Sequence, residues 1–241
     1  MTKLFSIVHS DLKEFPIEFY SKFKYLVSFI DDYLSHAWVA LLKKKSETLT
    51  AFKHFVAMVK IQFKADVNML MSDFGGEYKS KAFEQFLKDN GIQSQNSVPH
   101  AHQQNGCAEH FNRTIMDKAQ AMHLDACFPP SWWEFAVNTA VHLYNCTPVQ
   151  RLKWRTPFEL VYDEVSSIGH LCVFGCAAYI HIPAEARKDK LSPCGELMIF
   201  LGYPSGIKGY LFMRLPNNVL FKGTTTIFDE EMMPKCDKVK R

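Results

Sequence analysis

Two acidic residues, Asp73 and Glu109, have the chemistry and the local setting needed to bind a metal ion. Asp73 follows the apolar run 67–71, which predicts a short buried strand, and it precedes Gly75 and Gly76. A carboxylate at the end of a strand, beside glycines that let ligands approach the backbone, suits a divalent cation. Glu109 falls in the first turn of a predicted helix, where the helix dipole favours an acid even without a ligand. Each residue taken alone therefore has a purely structural explanation as well.

The spacing between these two acids strengthens the metal-binding interpretation. They are separated by residues 74–108, which number 35, and the polar loop 100–106 directly precedes Glu109. Together with an acid from an earlier strand they form a pattern of three carboxylates. Three carboxylates that converge on one end of a sheet cannot all remain ionised without a counter-charge. Two Mg²⁺ ions about 3.5–4 Å apart would supply it, and such a pair can hold the attacking and leaving oxygens of a phosphoryl transfer.

Asp11 and the pair Asp31-Asp32 compete for the place of the third acid. Asp31 and Asp32 follow a predicted strand and have the composition of a hairpin turn. Asp11 ends the first predicted strand, which can pair beside the strand that ends at Asp73. These considerations favour Asp11 but do not decide between the two.

Strand and helix signals alternate along the first part of the chain. Apolar runs bounded by turn residues predict strands at 4–8, 25–30, 37–42, 67–71 and 92–98. Periodic apolar positions and capping residues predict helices at 48–63, 80–89, 107–126 and 131–144. This order predicts an α/β fold, with a mixed sheet flanked by helices.

Beyond about residue 151 the sequence changes to short strand-like segments punctuated by glycine and asparagine. Strands are predicted at 171–182, 196–203, 208–214 and 218–228. Short strands with this punctuation are typical of a small β-barrel or meander. We therefore expect two domains, an α/β core over residues 1–164 and a small β-barrel with a basic tail over residues 165–241.

The composition, with 47% hydrophobic and 22% charged residues, is that of an ordinary globular protein. A formal net charge of +3 does not by itself indicate a nucleic-acid-binding protein, so contacts with DNA must come from local clusters such as Lys43-Lys44-Lys45. A solvated loop explains that run equally well. Because no stretch reaches ~18 apolar residues and no signal-peptide pattern is present, we expect a soluble, intracellular protein without a membrane partner.

The seven cysteines are scattered along the chain, and no two of them form a C-x-x-C pair. An odd number without a short framework is typical of free thiols in a reducing compartment. Cys172 and Cys176, with His170 and His181 nearby, have some features of a metal site. The apolar residues between them instead indicate a buried strand, so we interpret the two as core cysteines.

The chain resembles the integrases of Ty1/copia-type retrotransposons over nearly its whole length, in several short segments that occur in the same order. These are HSD at 9–11, FIDDY at 29–33, SDFGGEY at 72–78, QQNGCAE at 103–109, NRT at 112–114, TP at 156–157, HLCVFGC at 170–176 and IFLGY at 199–203. The resemblance implies an RNase H-like core followed by an SH3-like β-barrel. It also implies that Asp11, Asp73 and Glu109 are the catalytic, metal-binding acids, which leaves Asp31-Asp32 with a structural role.

The activity that the resemblance implies is DNA integration by two phosphoryl transfers. Water first trims the 3′ end of the element DNA, and the freed 3′-OH then attacks a target phosphodiester. The implied cofactors are two Mg²⁺ or Mn²⁺ ions. The implied partners are the element ends, the target DNA and further copies of the chain in a homo-oligomer, with no small-molecule substrate. The expected place of action is the nucleus, reached from a cytoplasmic particle.

Four polar residues near Glu109 are candidates for contacts with DNA. Gln104 and Asn105 lie just ahead of the catalytic helix, and Arg113 and Lys118 lie on it, about one and two turns beyond Glu109. Ordinary surface charge on a helix explains Arg113 and Lys118 equally well.

Some positions depart from the family pattern. Phe74, His110 and Phe111 stand where the family usually has basic residues, and the zinc-binding His/Cys module of full integrases is missing. Since phosphate contacts largely determine affinity for DNA, we expect weakened DNA binding. Two alternatives therefore remain: a decayed copy retained as a DNA- or protein-binding module, and an RNase H-type nuclease without strand transfer.

Overall fold

The computed structural model describes residues 4–73, 75–96, 106–182, 185, 187, 189, 191, 193–204, 206 and 208–236. The chain forms two compact units. The first comprises Met1–Ile115 and Leu143–Ser166, and the second comprises Met116–His142 and Ser167–Arg241. These units place Met116–His142 with the C-terminal part of the chain. A domain boundary after residue 164 stays a prediction.

A five-stranded mixed sheet forms the centre of the first unit. Its strands are β1 (Ile7–Glu14), β2 (Tyr25–Asp31), β3 (Ala37–Leu42), β4 (Met69–Ser72) and β5 (Gln93–Asn96). They lie in the order β3-β2-β1-β4-β5. β1 is antiparallel to β2 and parallel to β4, and β4 is parallel to β5. The predicted mixed α/β sheet is therefore confirmed.

Helices follow the sheet strands in the predicted order. The described α-helices are α1 (Thr48–Phe63), α2 (Lys81–Asp89), α3 (Gly106–Asp125), α4 (Trp133–Asn145) and the short α5 (Pro157–Tyr162). Ser80 caps α2 by accepting a hydrogen bond from the Phe83 amide at 3.2 Å. Thr156 and Glu159 form a capping box at the start of α5. No described helix has the length and apolar character needed to cross a lipid bilayer.

Aromatic side chains fill the core of the first unit. Phe52 of α1 is fully buried and stacks on Phe83 of α2, with ring centroids 5.4 Å apart. The same ring lies 5.7 Å from Phe29 of β2 and 6.4 Å from Phe55. Because offset and edge-on aromatic contacts add to the free energy of burial, this cluster fixes α1 and α2 against the sheet.

The first strand differs from its prediction. The apolar run 4–8 predicted a strand that stops at Asp11, whereas β1 begins at Ile7 and continues through Asp11 to Glu14. Pairing with β4 ends at Ser10, but antiparallel pairing with β2 continues as far as Glu14 opposite Tyr25. Asp11 therefore directly follows the last residue that pairs with β4, but it lies in the middle of the strand itself.

The second unit contains a five-stranded antiparallel sheet. Its strands are β6 (Ala177–His181), β7 (Gly195–Gly202), β8 (Tyr210–Arg214), β9 (Val219–Gly223) and β10 (Thr226–Asp229), in the order β10-β6-β7-β8-β9. The predicted strand 218–228 is in fact two strands, β9 and β10. Gly202 lies at a β-bulge with a φ of +118°, and a Cβ there would collide with Oγ1 of Thr139. Both the backbone and the space therefore require glycine at this position.

The prediction that all the cysteines are free thiols is wrong, because Cys127 and Cys236 form a disulfide within the second unit. The two residues are 109 positions apart in sequence, so no local pattern could reveal the pair. The inference of a reducing compartment rested on free thiols and loses that support. Cys176 is buried in the core of this unit, as predicted, and Cys172 packs against the same core.

Candidate active site

Asp11 and Asp73 lie at corresponding positions of two neighbouring parallel strands. In the register of β1 and β4, Ser10 is opposite Ser72, so each aspartate directly follows the last paired residue of its ladder. Adjacent strands lie about 4.8 Å apart. The parallel pairing therefore brings the two carboxyl groups together at the C-terminal end of the paired segment.

Asp31 is the last residue of β2 and Asp32 follows it, so both lie on the side of β1 that faces away from β4. The buried Asp31 carboxylate accepts hydrogen bonds from the amides of Phe5 and Leu34, each at 2.8 Å. Asp32 instead contacts His9, with 3.0 Å between Oδ1 and Nε2. Asp31 thus stabilises the turn after β2, which is the structural role that the family resemblance implies.

Glu109 completes an acidic cluster from the exposed first turn of α3. The pKa of Asp11 is raised above its ordinary value by burial first and then by the charge of Asp73. Glu109 also raises this pKa, while the hydrogen bond from Asn112 lowers it. The structure thus brings the three sequence-predicted acids close enough for the charges of Asp73 and Glu109 to act on Asp11.

Asn112 is a site residue that sequence reasoning did not single out as functional. Its Nδ2 donates a hydrogen bond to Oδ2 of Asp11 at 2.5 Å, and the residue is 7% exposed. Within the described part of the chain, its buried Oδ1 has no hydrogen-bond partner. Residues three apart on a helix share a face, so the spacing from Glu109 was a signal that could have indicated this role. Asn112 therefore fixes one carboxylate oxygen of Asp11.

Ser10 and Tyr78 form a buried hydrogen-bonded pair next to the acidic cluster. The Tyr78 hydroxyl lies 2.8 Å from Oγ of Ser10, and burial is the main cause that raises the pKa of Tyr78. The Gly75 amide donates a hydrogen bond to Oδ1 of Asp73 at 3.2 Å. A Cβ at Gly75 would lie only 2.7 Å from Oε1 of Glu77 and 3.0 Å from Oδ1 of Asp73. Within the SDFGGEY segment, the Gly75 amide thus holds Asp73, while Tyr78 holds the serine that precedes Asp11.

The structure describes two of the four residues that were predicted to contact DNA. Gln104 and Asn105 lie outside the described residues, as does Phe74. Arg113 is exposed, one turn beyond Glu109. Lys118 falls in the second unit and is half-buried, and this burial lowers its pKa.

Phe111, which stands where the family usually has a basic residue, lies in the interior of the first unit. Phe111 is 1% exposed and packs edge-on against Tyr144, with ring centroids 4.9 Å apart. Its side chain belongs to the core, so a basic residue here would leave a buried charge rather than gain a phosphate contact. His110, by contrast, is exposed beside Glu109.

The donor set fits a hard divalent cation. The groups that act on Asp11 are two further carboxylates and neutral hydrogen-bond donors. Carboxylate oxygens are the ligands that Mg²⁺ and Mn²⁺ prefer. Such a cation would also relieve the repulsion that raises the pKa of Asp11.

Asp11→Asn is expected to stabilise the metal-free protein at neutral pH. A carboxyl whose pKa is higher in the folded than in the unfolded state contributes most favourably below its unfolded pKa, and that contribution is lost as pH rises through the folded pKa. The ionised Asp11 therefore destabilises the fold at neutral pH, and the neutral isostere can still accept the hydrogen bond from Asn112. The melting temperature should rise by about 2–4 °C for each kcal/mol relieved.

Thermal unfolding in a chelator, at acidic and at neutral pH, measures this effect. The gain should shrink towards acidic pH, where wild-type Asp11 is protonated. The matched control is Asp66→Asn at an exposed position, where we expect no change. A lower melting temperature for Asp11→Asn at neutral pH would show that burial and the neighbouring charges do not make the ionised acid destabilising.

Two family models match separate parts of this chain. The integrase core domain matches residues 2–102, and the retroviral polymerase SH3-like domain matches residues 176–241. The first match includes Asp11 and Asp73 but stops before Glu109. The second covers the five-stranded antiparallel sheet, so the predicted SH3-like fold is confirmed.

Similar proteins occur among plant and yeast retrotransposons. The chain is 36% identical over 231 residues to the Retrovirus-related Pol polyprotein from transposon TNT 1-94 of Nicotiana tabacum, and 29% identical over 233 residues to that from transposon RE2 of Arabidopsis thaliana. These alignments cover 94% and 97% of the chain but only 17% and 16% of the polyproteins. The Ty1-NL2 Gag-Pol polyprotein of Saccharomyces cerevisiae is 28% identical over 146 residues, which are 60% of the chain and 8% of that polyprotein. The chain therefore spans about a sixth or less of each relative.

Solved integrase structures share the fold. The simian T-cell lymphotropic virus intasome in complex with PP2A regulatory subunit B56 gamma matches 95% of this chain and 79% of its own chain, with a TM-score of 0.54 and 15% identity. The dimeric HTLV-2 integrase catalytic core domain in complex with magnesium matches 66% of this chain and 97% of its own, with a TM-score of 0.50 and 20% identity. The chain is therefore a relative of the Pol polyproteins of Ty1/copia-type retrotransposons, and it carries an integrase core domain followed by a retroviral polymerase SH3-like domain.

Proposed function

We propose that this chain catalyses DNA integration by metal-dependent 3′-end processing and strand transfer, with Asp11, Asp73 and Glu109 as the catalytic acids. The observation that carries the proposal is the parallel register of β1 and β4, which places Asp11 beside Asp73, with Glu109 close enough for its charge to act on Asp11. Structural acids in proteins usually pair with cations or backbone amides, as Asp31 does here. Three mutually repelling carboxylates destabilise a fold, so they indicate a site built for function.

Two Mg²⁺ or Mn²⁺ ions are the cofactors of this proposal. Asp11 and Asp73 would bind both ions, and Glu109 would hold the second. When bound, the ions supply charge neutralisation and Lewis acidity for the displacement at phosphorus. HTLV-2 integrase, a protein of the same fold, has been described in complex with magnesium.

The remaining residues of the site orient these acids. Asn112 donates to Oδ2 of Asp11 and so fixes the rotation of that carboxylate. The Gly75 amide does the same for Asp73. Because phosphoryl transfer depends mainly on positioning and electrostatic stabilisation, these two hydrogen bonds should matter more for turnover than for stability.

The proposed partners are element ends, target DNA and further copies of this chain. Gln104 and Asn105, just ahead of α3, and the exposed Arg113 are the proposed contacts to DNA. Lys118 is a weaker candidate, because it is half-buried and its pKa is lowered. The proposed site of action is the nucleus, where target DNA is found.

A gel assay with labelled DNA tests the proposal. The substrate is a short duplex that carries the terminal sequence of the element encoding this chain, incubated at low salt with Mg²⁺, with Mn²⁺ or with chelator. We expect shortened 3′ ends and longer strand-transfer products, only with metal. Shortened or nicked products without joining would instead support an RNase H-type nuclease. DNA binding without cleavage would support a decayed copy that serves as a binding module.

His110→Arg is expected to increase DNA binding and product formation. His110 is exposed beside Glu109, so an arginine there can reach a phosphate without a change in the core. One added phosphate contact should steepen the dependence of log affinity on log salt by about one unit. Fluorescence anisotropy at several salt concentrations measures this slope.

The matched control for this gain is His54→Arg. His54 is exposed on α1, so the substitution adds the same charge away from the acids. An equal effect of the two substitutions would mean that net charge, rather than a contact near Glu109, controls binding.

A further inference from the structure

His9, Asp32 and Cys107 form a second cluster of possible metal ligands beside the three acids. One ligand atom from each residue lies within 4.8 Å of the other two. His9 belongs to β1, Asp32 follows β2, and Cys107 lies in the first turn of α3. The cluster thus joins three elements that are far apart in sequence.

We propose that these residues bind a zinc ion. Imidazole, carboxylate and thiolate are all common zinc ligands, whereas a cysteine sulfur is a poor ligand for Mg²⁺. Zinc bond lengths of about 2.0–2.3 Å need neighbouring ligand atoms roughly 3.3–3.7 Å apart. The His9 Nε2 and Asp32 Oδ1 atoms are already 3.0 Å apart. Only small side-chain movements are therefore required, and a water molecule can take the fourth position.

A histidine–aspartate hydrogen bond alone does not explain the cluster. The His9 ring is 5% exposed, and its buried Nδ1 has no hydrogen-bond partner among the residues that the structure describes. A buried ring with an unsatisfied nitrogen is unfavourable unless another interaction compensates for it. The thiol of Cys107 beside the same pair supplies a third donor, which an ordinary ion pair would not need.

The surrounding charges balance a bound zinc ion. The Asp32 carboxylate and the Cys107 thiolate offset its two positive charges. Arg151 lies nearby, since both its terminal nitrogens donate to the backbone carbonyl of Asp32 at 2.9 Å. The buried Asp31 carboxylate offsets that guanidinium. The ligand set therefore does not leave an uncompensated charge.

The site would connect the two elements that carry Asp11 and Glu109. His9 precedes Asp11 by two residues on β1, and Cys107 precedes Glu109 by two residues on α3. A metal bound to both would fix the start of α3 against the sheet. This structural role is separate from the role of the acids, because no residue is shared between the two sites.

Cobalt and zinc binding to the full chain test the proposal, after chelator treatment and dialysis. Cobalt bound to a thiolate gives a charge-transfer band in the near ultraviolet, which reports directly on Cys107. We expect wild type to bind one metal ion with this band, and zinc to raise the melting temperature. Cys107→Ser should abolish the band and weaken zinc binding by at least about tenfold.

Three further variants distinguish metal binding at this cluster from binding at another cysteine or at the three acids. Asp32→Asn should keep the band but weaken binding to a similar degree, so the proposal does not depend on Cys107→Ser folding normally. Cys194→Ser, at an exposed free cysteine, should bind like wild type. Asp73→Asn should keep the thiolate band unchanged, because cobalt bound at the three acids has no sulfur ligand. A wild type without the band, a band that persists in Cys107→Ser, or binding lost only in Asp73→Asn would overturn the proposal.

Discussion

Asp73→Asn and Glu109→Gln are each expected to lower the rate of metal-dependent strand transfer about a thousandfold. Each change would remove several kcal/mol of charge stabilisation from the transition state, and about 1.4 kcal/mol corresponds to a tenfold change in rate. Both changes keep the size of the side chain and remove one negative charge from the proposed ligand set. Removing that charge also relieves Asp11, whose pKa both acids raise. The folded state should therefore survive while the activity is lost.

The assay compares product formation with Mg²⁺ for wild type and both variants at equal DNA occupancy. Asp66→Asn and Glu84→Gln are matched controls, because each makes the same chemical change at an exposed position. Both controls should retain wild-type activity. If wild type produces no more product than Asp73→Asn, the enzymatic proposal fails for this chain.

Phe52→Ala is expected to destabilise the first unit by about 3–5 kcal/mol, the usual cost of removing a buried phenylalanine. The Phe52 ring is fully buried and contacts Phe29, Phe55 and Phe83. Its loss leaves a cavity that rigid aromatic neighbours cannot fill. Because a domain is stable by only about 5–15 kcal/mol, this change removes a large part of the total.

Urea unfolding, followed by circular dichroism, measures this loss. Ile61→Ala is the matched control, because Ile61 lies on the same helix and is 77% exposed. It should change the free energy of unfolding by no more than about 0.5 kcal/mol. Because alanine is a better helix former than either residue, a similar loss in both variants would mean that the effect is not specific to the aromatic core.

The order of elements could be predicted because most of them carry local signals. Helix α2 begins after the Ser80 cap and α5 after the Thr156 cap, and both caps are visible in the sequence. Apolar runs bounded by turn residues indicated β2 and β3. The end of β1 was not predictable in this way, because it depends on pairing with β2 as far as Tyr25, which is a tertiary interaction.

Parts of the candidate site could not be predicted for the same reason. Local sequence identified Asp73 and Glu109 as candidates, but the choice between Asp11 and Asp31 needed either the family resemblance or the strand order. Phe111 and Asn112 are neighbours on α3, yet one packs into the core and the other bonds to Asp11. Such contacts depend on which helix face meets the sheet, and a mixed apolar and polar segment does not define that face sharply.

The strand order also determines when this site can form during folding. β1, β2 and β3 are consecutive in sequence and pair as antiparallel neighbours, so this meander can form early from local contacts. β4, by contrast, is connected to this meander through α1, and the chain must fold back over that helix before Ser72 can pair with Ser10. Chain synthesis proceeds from the N-terminus, so the meander leaves the ribosome well before its parallel partner. We therefore expect tight divalent-metal binding to appear only after β4 has paired with β1, which makes metal affinity a kinetic probe of the docking of β4.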